Sequence, residues 1–335
     1  MQDTILRVED LRVEFATTDG IVNAVNGVTF ELRRGGTLAI TGESGSGKSS
    51  LGLAIMRLLP YPGAITGGRV LMDGRDLGLL NQDEMRLLRG RDIAIVFQDP
   101  STGLNPVLSV GQQVEEIINA HLTVSKREAK KMTVEVLAKL GLPDPQDIVK
   151  RYPFQLSGGM AQRVMIAIAT ALNPSVLILD EPTSALDVTV QAAILEDLTR
   201  LQERYGTSII LISHDLGVVA QMADHVAMMY AGYLAEYADV GTLFRAPRHP
   251  YSWSLLASRP RWDQDQERLA AIRGTPPSLI DLPDECPFLP RCSKATTECR
   301  THPAPALAPV GPPPHVAACY NPMYQDESDS ERRSA

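Results

Sequence analysis

A large α/β domain carrying a helical insertion, followed by a proline- and cysteine-rich extension, is the architecture this sequence predicts. Three observations carry it: an apolar strand running into a glycine-rich loop and then a helix at 37–59, a strand–helix–strand unit at 176–212, and a change of composition after about residue 245. With 335 residues, 44% of them apolar, the chain is long enough to bury a substantial core.

Taken in order, residues 5–15 and 21–32 alternate apolar and polar as half-buried strands do, with Thr18-Asp19-Gly20 as the turn between them. Thr37-Leu-Ala-Ile-Thr41 reads as a short buried strand, and a helix is expected from Lys48 to about Leu59, stopped by Pro60. The stretch at about 100–171 reads as mostly helix: Ser125 with Glu128 makes a capping box, Val134, Leu137 and Leu140 give a helical stripe, and Gly141 with Pro143 supplies the stop. Strands return at 176–179 and 208–212, and the helix-prone segment 190–204 between them is the signature of a parallel crossover. After about Phe244, prolines 247, 250, 260, 276, 277, 283, 287 and 290 break any long element, which predicts a separate appendage holding all four cysteines. The expected division is therefore 1–245 for the main domain, with its helical part at about 100–171, 246–323 for the cysteine-containing extension, and 324–335 for a polar, disordered tail. Each motif occurs once.

Charge and hydropathy exclude several functions. Thirty-two basic against forty acidic residues give a net charge of −8 with no long basic stretch, so nucleic acid is not the expected partner. The apolar run 164–179 is shorter than the roughly 20 residues a membrane-spanning helix needs, and Asn173-Pro174 interrupts it. The N-terminus has neither a basic leader nor an apolar signal core, so a cytoplasmic location is expected.

The chemistry lies in six motifs in fixed order. Gly42-Glu43-Ser44-Gly45-Ser46-Gly47-Lys48-Ser49, followed by Ser50, fits the pattern in which glycines let backbone N–H groups curl around phosphates at a helix N-terminus; Lys48 reaches the β and γ phosphates and Ser49 ligates Mg²⁺. Asp180 stands at the carboxyl end of an apolar strand, where it can hold the Mg²⁺ shell, and Glu181 beside it can polarise a water for in-line attack. His214 comes after the 208–212 strand, at the same sheet edge as Asp180. Ser157-Gly158-Gly159 opens an apolar helix over 164–171 with Ser157 as N-cap, a second anion-binding helix end in a chain that already has one. The economical reading is that it serves nucleotide held by another subunit. Phe97-Gln98 and Ser184-Ala-Leu-Asp187 complete the set.

Together these residues resemble the nucleotide-binding domain of ABC transporters over about 5–245, with Walker A, Q-loop, signature, Walker B, D-loop and H-loop all present. The resemblance implies a P-loop NTPase fold of a RecA-like core with an antiparallel β subdomain and a helical subdomain. It also implies that Phe15 stacks on adenine, that Gln98 senses Mg²⁺ and the γ-phosphate, that Glu181 is the catalytic base and that His214 grips the γ-phosphate. The segments Phe97-Gln-Asp-Pro-Ser-Thr-Gly-Leu-Asn105-Pro106, Leu156-Ser-Gly-Gly-Met160-Ala161-Gln-Arg and His249-Pro-Tyr-Ser-Trp-Ser-Leu-Leu-Ala257 resemble the ATPase subunits of dipeptide, oligopeptide and nickel importers. Met160 matches that subfamily, whereas Ala161 stands where it usually has arginine. The resemblance implies an ATPase at the cytoplasmic face of the membrane, driving peptide import. Its partners would be a second ATPase chain of the same or, as often in this subfamily, a different sequence, two transmembrane permease subunits and, indirectly, an extracytoplasmic solute-binding protein. The same motor in an importer of nickel, glutathione or another small solute is the alternative, and a soluble ABC ATPase outside transport a more distant one.

Cys286, Cys292, Cys299 and Cys319 lack the C-x-x-C knuckles common at zinc sites, and in a cytoplasmic chain their chemistry leaves zinc, an iron–sulfur cluster and free thiols open. Cys-Pro-Phe-x-Pro-Arg-Cys followed by two more cysteines resembles the C-terminal region of peptide-importer ATPases that carry a [4Fe-4S] cluster, and this resemblance points to the cluster.

Overall fold

The computed structural model describes residues 3–184, 186–258 and 272–324; the tail expected from 324 falls outside them from 325 on. The α/β architecture expected from the sequence is observed as two sheets. A four-stranded antiparallel sheet has the order β2 (Gly20–Arg33), β1 (Thr4–Thr17), β4 (Gly63–Met72), β5 (Arg75–Asp76). The larger sheet contains β3 (Thr37–Thr41), β6 (Ile93–Val96), β7 (Val176–Asp180), β8 (Ser208–Ile212), β9 (His225–Tyr230), β10 (Tyr233–Asp239), β11 (Ala308–Pro309) and β12 (Val316–Ala317), in the order β11-β12-β10-β9-β3-β8-β7-β6. Strands β9, β3, β8, β7 and β6 run parallel, and β10, β12 and β11 are added antiparallel at one edge.

Near-continuous apolar runs become central parallel strands because both of their faces are covered. Leu177, Leu179, Ile209 and Leu211 point into one core, shared with the helices, while Ile178, Ile210, Ile212, Leu38 and Ile40 point into a second core shared with the antiparallel sheet. Each such side chain removed from water contributes about 1.5–3 kcal/mol. The helix Lys48–Ile55 lies between the two sheets with Leu51, Ala54 and Ile55 buried. It ends four residues before the expected stop at Leu59. Arg57 takes a left-handed φ of 52°, and the freed carbonyls of Met56 and Arg57 accept from Arg89 Nε and Nη2, both at 3.0 Å. A side chain distant in sequence thus caps the helix before Pro60 is reached.

The helical stretch contains helices Pro100–Gly103, Val110–His121, Lys126–Lys139, Pro145–Ile148 and Gly158–Thr170. Ser125 and Glu128 form the expected capping box, Leu137 and Leu140 are buried, and Val134 is half-buried. Helix Gly158–Thr170 begins six residues before the apolar run that suggested it, because Ser157 caps it by accepting from Met160 N. The bundle is tied to the sheet side by Arg163, whose Nη1 donates to Leu140 O at 2.7 Å and pairs with Asp197 of helix Val188–Tyr205 at 3.2 Å. Burial pushes the Asp197 carboxyl up, opposed by Arg163 and Arg200.

The segment from 246, expected as a separate appendage, is built into the larger sheet. Its β12 pairs with β10 at Glu236↔Ala317. Phe288 packs edge-on to Tyr230 of β9 at 5.3 Å and tilted against Tyr251 at 5.5 Å. The fully buried Glu236 carboxylate accepts from Arg248 N at 2.7 Å, His249 N at 2.8 Å and His315 Nε2 at 2.7 Å, fastening both ends of the extension to β10.

Arg163→Met leaves Asp197 buried without its closest guanidinium. A loss of about 2 kcal/mol is expected, less than for a fully buried pair because Arg200 Nη1 stays 3.5 Å away. Urea denaturation should show it as a lower midpoint at unchanged slope.

Candidate nucleotide site

The glycine-rich loop leaves β3 and enters helix Lys48–Ile55 along a path open only to glycine at two points. Gly42 has φ 150° and Gly47 φ 96°; a Cβ on Gly42 would stand 2.0 Å from Met229 O, and one on Gly47 1.9 Å from Ala24 O. The loop is thereby wedged between β9 of one sheet and β2 of the other. Within it Lys48 is buried, with Nζ donating to Gly42 O at 2.8 Å, Glu43 O at 2.9 Å and Ser46 Oγ at 3.4 Å. Burial lowers the Lys48 pKa, and the negative charges of Glu181, Asp180 and Glu43 oppose the shift.

A cleft of about 730 Å³ opens over the loop, lined by Phe15, Ser44, Gly45, Gly47, Lys48, Ser49, Ser50, Gln98, Glu181 and His214. Three segments far apart in sequence meet there because β3, β8 and β7 are parallel neighbours, so their carboxyl ends lie side by side. Asp180 ends β7 behind Ser49, whose Oγ donates to Asp180 Oδ1 at 3.0 Å. Burial raises the Asp180 pKa, with the Ser49 hydrogen bond working against it. Glu181 turns away from the strand with a left-handed φ of 50°, and its carboxylate accepts from His214 N at 3.1 Å and meets His214 Nδ1 at 2.8 Å. A strained backbone and a histidine clamp therefore hold one carboxylate at the cleft wall.

The other expected residues are placed differently from one another. Gln98 is exposed at the cleft rim. Phe15 is half-buried, its ring seated on Gly63, where a Cβ would come within 2.5 Å of Phe15 Cε1. Gly42, Glu43, Ser46 and Asp180 support the cleft from behind. The carboxylate of Glu43 points into the extension, and its N–H donates to Tyr251 Oη at 2.8 Å. Ser157, Gly158 and Gly159 are not part of the cleft: a Cβ on Gly158 would meet Leu186 and one on Gly159 would meet Val190, so this helix end packs on the segment after β7. Leu279 of the extension also lines the cleft, held by its carbonyl accepting from Asn23 N at 2.9 Å. Nothing local in the sequence marks Leu279, since only the return of the chain to β2 brings it there.

The four cysteines, up to 33 residues apart in sequence, line one small cavity with His249, Phe288 and Leu289. No disulfide joins them. Burial pushes Cys286 up to about 11 and Cys319 up to about 12, and raises Cys292.

Comparison with known proteins matches these features. The family model of the ABC transporter covers residues 25–184, and that of the oligopeptide/dipeptide transporter C-terminal region covers 235–299. The chain is 51% identical to the oligopeptide transport ATP-binding protein OppD of Bacillus subtilis, over 87% of this chain and 82% of that one. It is 49% identical to the dipeptide transport ATP-binding protein DppD of the same organism, over 89% of each, and 46% identical to OppD of Escherichia coli, over 96% and 95%. Among solved structures, the dimeric ABC transporter cassette MJ0796 superposes with a TM-score of 0.64 at 29% identity, covering 70% of this chain and 98% of that one. The same cassette bound to ADP and Pi, a post-hydrolysis state, gives the same score at 28% identity. By fold, by the order of its phosphate-site motifs and by identity along nearly its whole length, the chain belongs to the ABC transporter ATP-binding proteins, in the oligopeptide and dipeptide branch of that family.

Proposed function

We propose that this chain binds and hydrolyses ATP as the motor subunit of a binding-protein-dependent importer of di- and oligopeptides. The observation that carries the reading is the meeting of Lys48, Ser49 backed by Asp180, Gln98, and Glu181 clamped by His214 in one cleft. The peptide cargo rests on the similarity to oligopeptide and dipeptide transport proteins.

In this reading the backbone N–H groups of 44–49 and the Lys48 ammonium take the β and γ phosphates, Phe15 takes the adenine face, and Gln98 at the rim reports the γ-phosphate to the membrane subunits. Ser49 Oγ and Asp180 present oxygen donors suited to Mg²⁺. Among the described residues no group of three or more His, Cys, Asp and Glu gathers closely enough for one metal ion. Bound there, Mg²⁺ supplies charge neutralisation to the phosphoryl oxygens. Glu181 polarises the attacking water, and His214 keeps its carboxylate aimed while also reaching the γ-phosphate. Ser157, Gly158 and Gly159, standing apart from this cleft, serve the ATP of a second ATPase subunit in a head-to-tail pair. Closure of that pair drives two permease subunits, loaded from outside by a solute-binding protein. No described helix is long and apolar enough to cross a membrane, in keeping with a peripheral motor held at the cytoplasmic face by its permeases.

Cys286, Cys292, Cys299 and Cys319 fit a [4Fe-4S] cluster as its four thiolate ligands: all four line one cavity, and burial disfavours the thiolates of Cys286, Cys292 and Cys319 unless a positive centre compensates. When bound, the cluster would cross-link 286–299 to 319; the cysteines themselves anchor the extension around Phe288.

Glu181→Gln should leave ATP binding intact and lower turnover by at least about 10²-fold, on the scale of losing a positioned base; phosphate release near the parent rate would reject that role. After anaerobic purification, about four irons and four acid-labile sulfides per chain are expected, one per cysteine, with a broad visible absorption lost in Cys292→Ser. Stoichiometric zinc, or no metal, would reject the cluster.

A further inference from the structure

The extension reaches the nucleotide cleft at two separate points. At the base end, Ile280 bridges antiparallel to Val22 of β2, Asp281 N donates to Ile21 O at 3.3 Å, and Leu279 becomes part of the cleft wall. Behind the phosphate loop, Arg291 sits between two of the cysteines with its side chain only 5% exposed. Its Nη1 donates to Glu43 Oε2 at 2.6 Å and its Nη2 to Glu43 Oε1 at 3.0 Å, a two-pronged fork onto one carboxylate. Nη1 also donates to Tyr230 Oη at 3.1 Å, and Nε to Arg273 O at 2.9 Å. The guanidinium is thus fixed from β9 and from the extension before it grips the loop.

Glu43 is held on three sides: by Arg291 at its carboxylate, by Tyr251 Oη at its N–H and by Lys48 Nζ at its carbonyl. Left unpaired, its negative charge would face a polyanion bound by the neighbouring residues and compete for the Lys48 ammonium. We propose that Arg291 is a positioning residue of the nucleotide site. It neutralises Glu43 and locks the start of the phosphate loop, so that the cysteine-bearing segment sets the affinity for ATP. The proposal rests on the reading of 42–50 as the ATP phosphate loop.

The test is isothermal titration of the full chain with ATP and Mg²⁺ in a Glu181→Gln background, which removes hydrolysis. Arg291→Met should weaken ATP binding about tenfold, the scale of one lost charge-assisted hydrogen-bond pair, and Arg291→Lys, which keeps the charge without the fork, about threefold. In a chain that also carries Glu43→Gln, where no carboxylate remains to neutralise, Arg291→Met should change the affinity by less than about twofold. A purely structural role would instead weaken binding equally with and without Glu43. Affinity within about twofold of the parent in both Arg291 variants, or an undiminished loss in the Glu43→Gln chain, overturns the proposal. If Arg291→Met does not fold, the Lys variant with and without Glu43→Gln decides by the same comparison. Lys48→Ala tests the underlying reading separately: parent-like ATP binding there would show that the loop is not the phosphate site, whatever the Arg291 variants do.

Discussion

The passage of the phosphate loop between two carbonyl oxygens is the constraint on which the remaining architecture depends. Gly42 lies against Met229 O of the larger sheet and Gly47 against Ala24 O of the smaller one, at separations where a β-carbon has no room. Gly232 N then donates to Ser46 O, and Asn26 N to Gly232 O, so the loop, β2 and the β9–β10 turn close into one network. Two sheets that could otherwise slide over a shared apolar core are fixed at the place where phosphate is to be held.

Parallel register does the rest. Because β7, β8 and β3 are neighbours whose carboxyl ends lie together, an acid at the end of one strand, a histidine after the next and a lysine beyond the third share a cleft without any long-range search by the side chains. The positive φ of Glu181 departs locally from this regularity, and the His214 contacts hold it. Asp180 thus ends one fully buried strand, Glu181 and His214 follow directly on two such strands, and Gln98 and Phe15 stand at exposed or half-buried rims.

The extension is joined by different means: a buried carboxylate with three donors, an aromatic cluster and an arginine fork. Glu236 organises 248, 249 and 315, Phe288 packs against both Tyr230 and Tyr251, and Arg291 reaches the loop. Each is a polar or aromatic contact between residues tens to hundreds of positions apart, and together they place the four thiols around a single cavity next to the nucleotide domain. Arg291 and Tyr251 both contact Glu43 of the loop, and Phe288 packs against Tyr251.

Features that depend on local order are legible along the chain: the strands at 37–41, 176–179 and 208–212 from their apolar runs, the capping box at Ser125 and Glu128, and the glycine spacing of the phosphate loop. These are legible because period, caps and backbone freedom act over a few residues. Helix Lys48–Ile55 ended early for a reason outside that range, since Arg89 supplies its cap from another element. Contacts in three dimensions settle that the Glu43 carboxylate pairs with Arg291, that Leu279 walls the cleft, that Ser157–Gly159 lies apart from it, and that the proline-rich segment adds strands to the larger sheet. Those outcomes arise from ion pairs, close approaches and strand pairing between distant segments, and no pattern along the chain encodes which distant partner a charge or an edge strand will find.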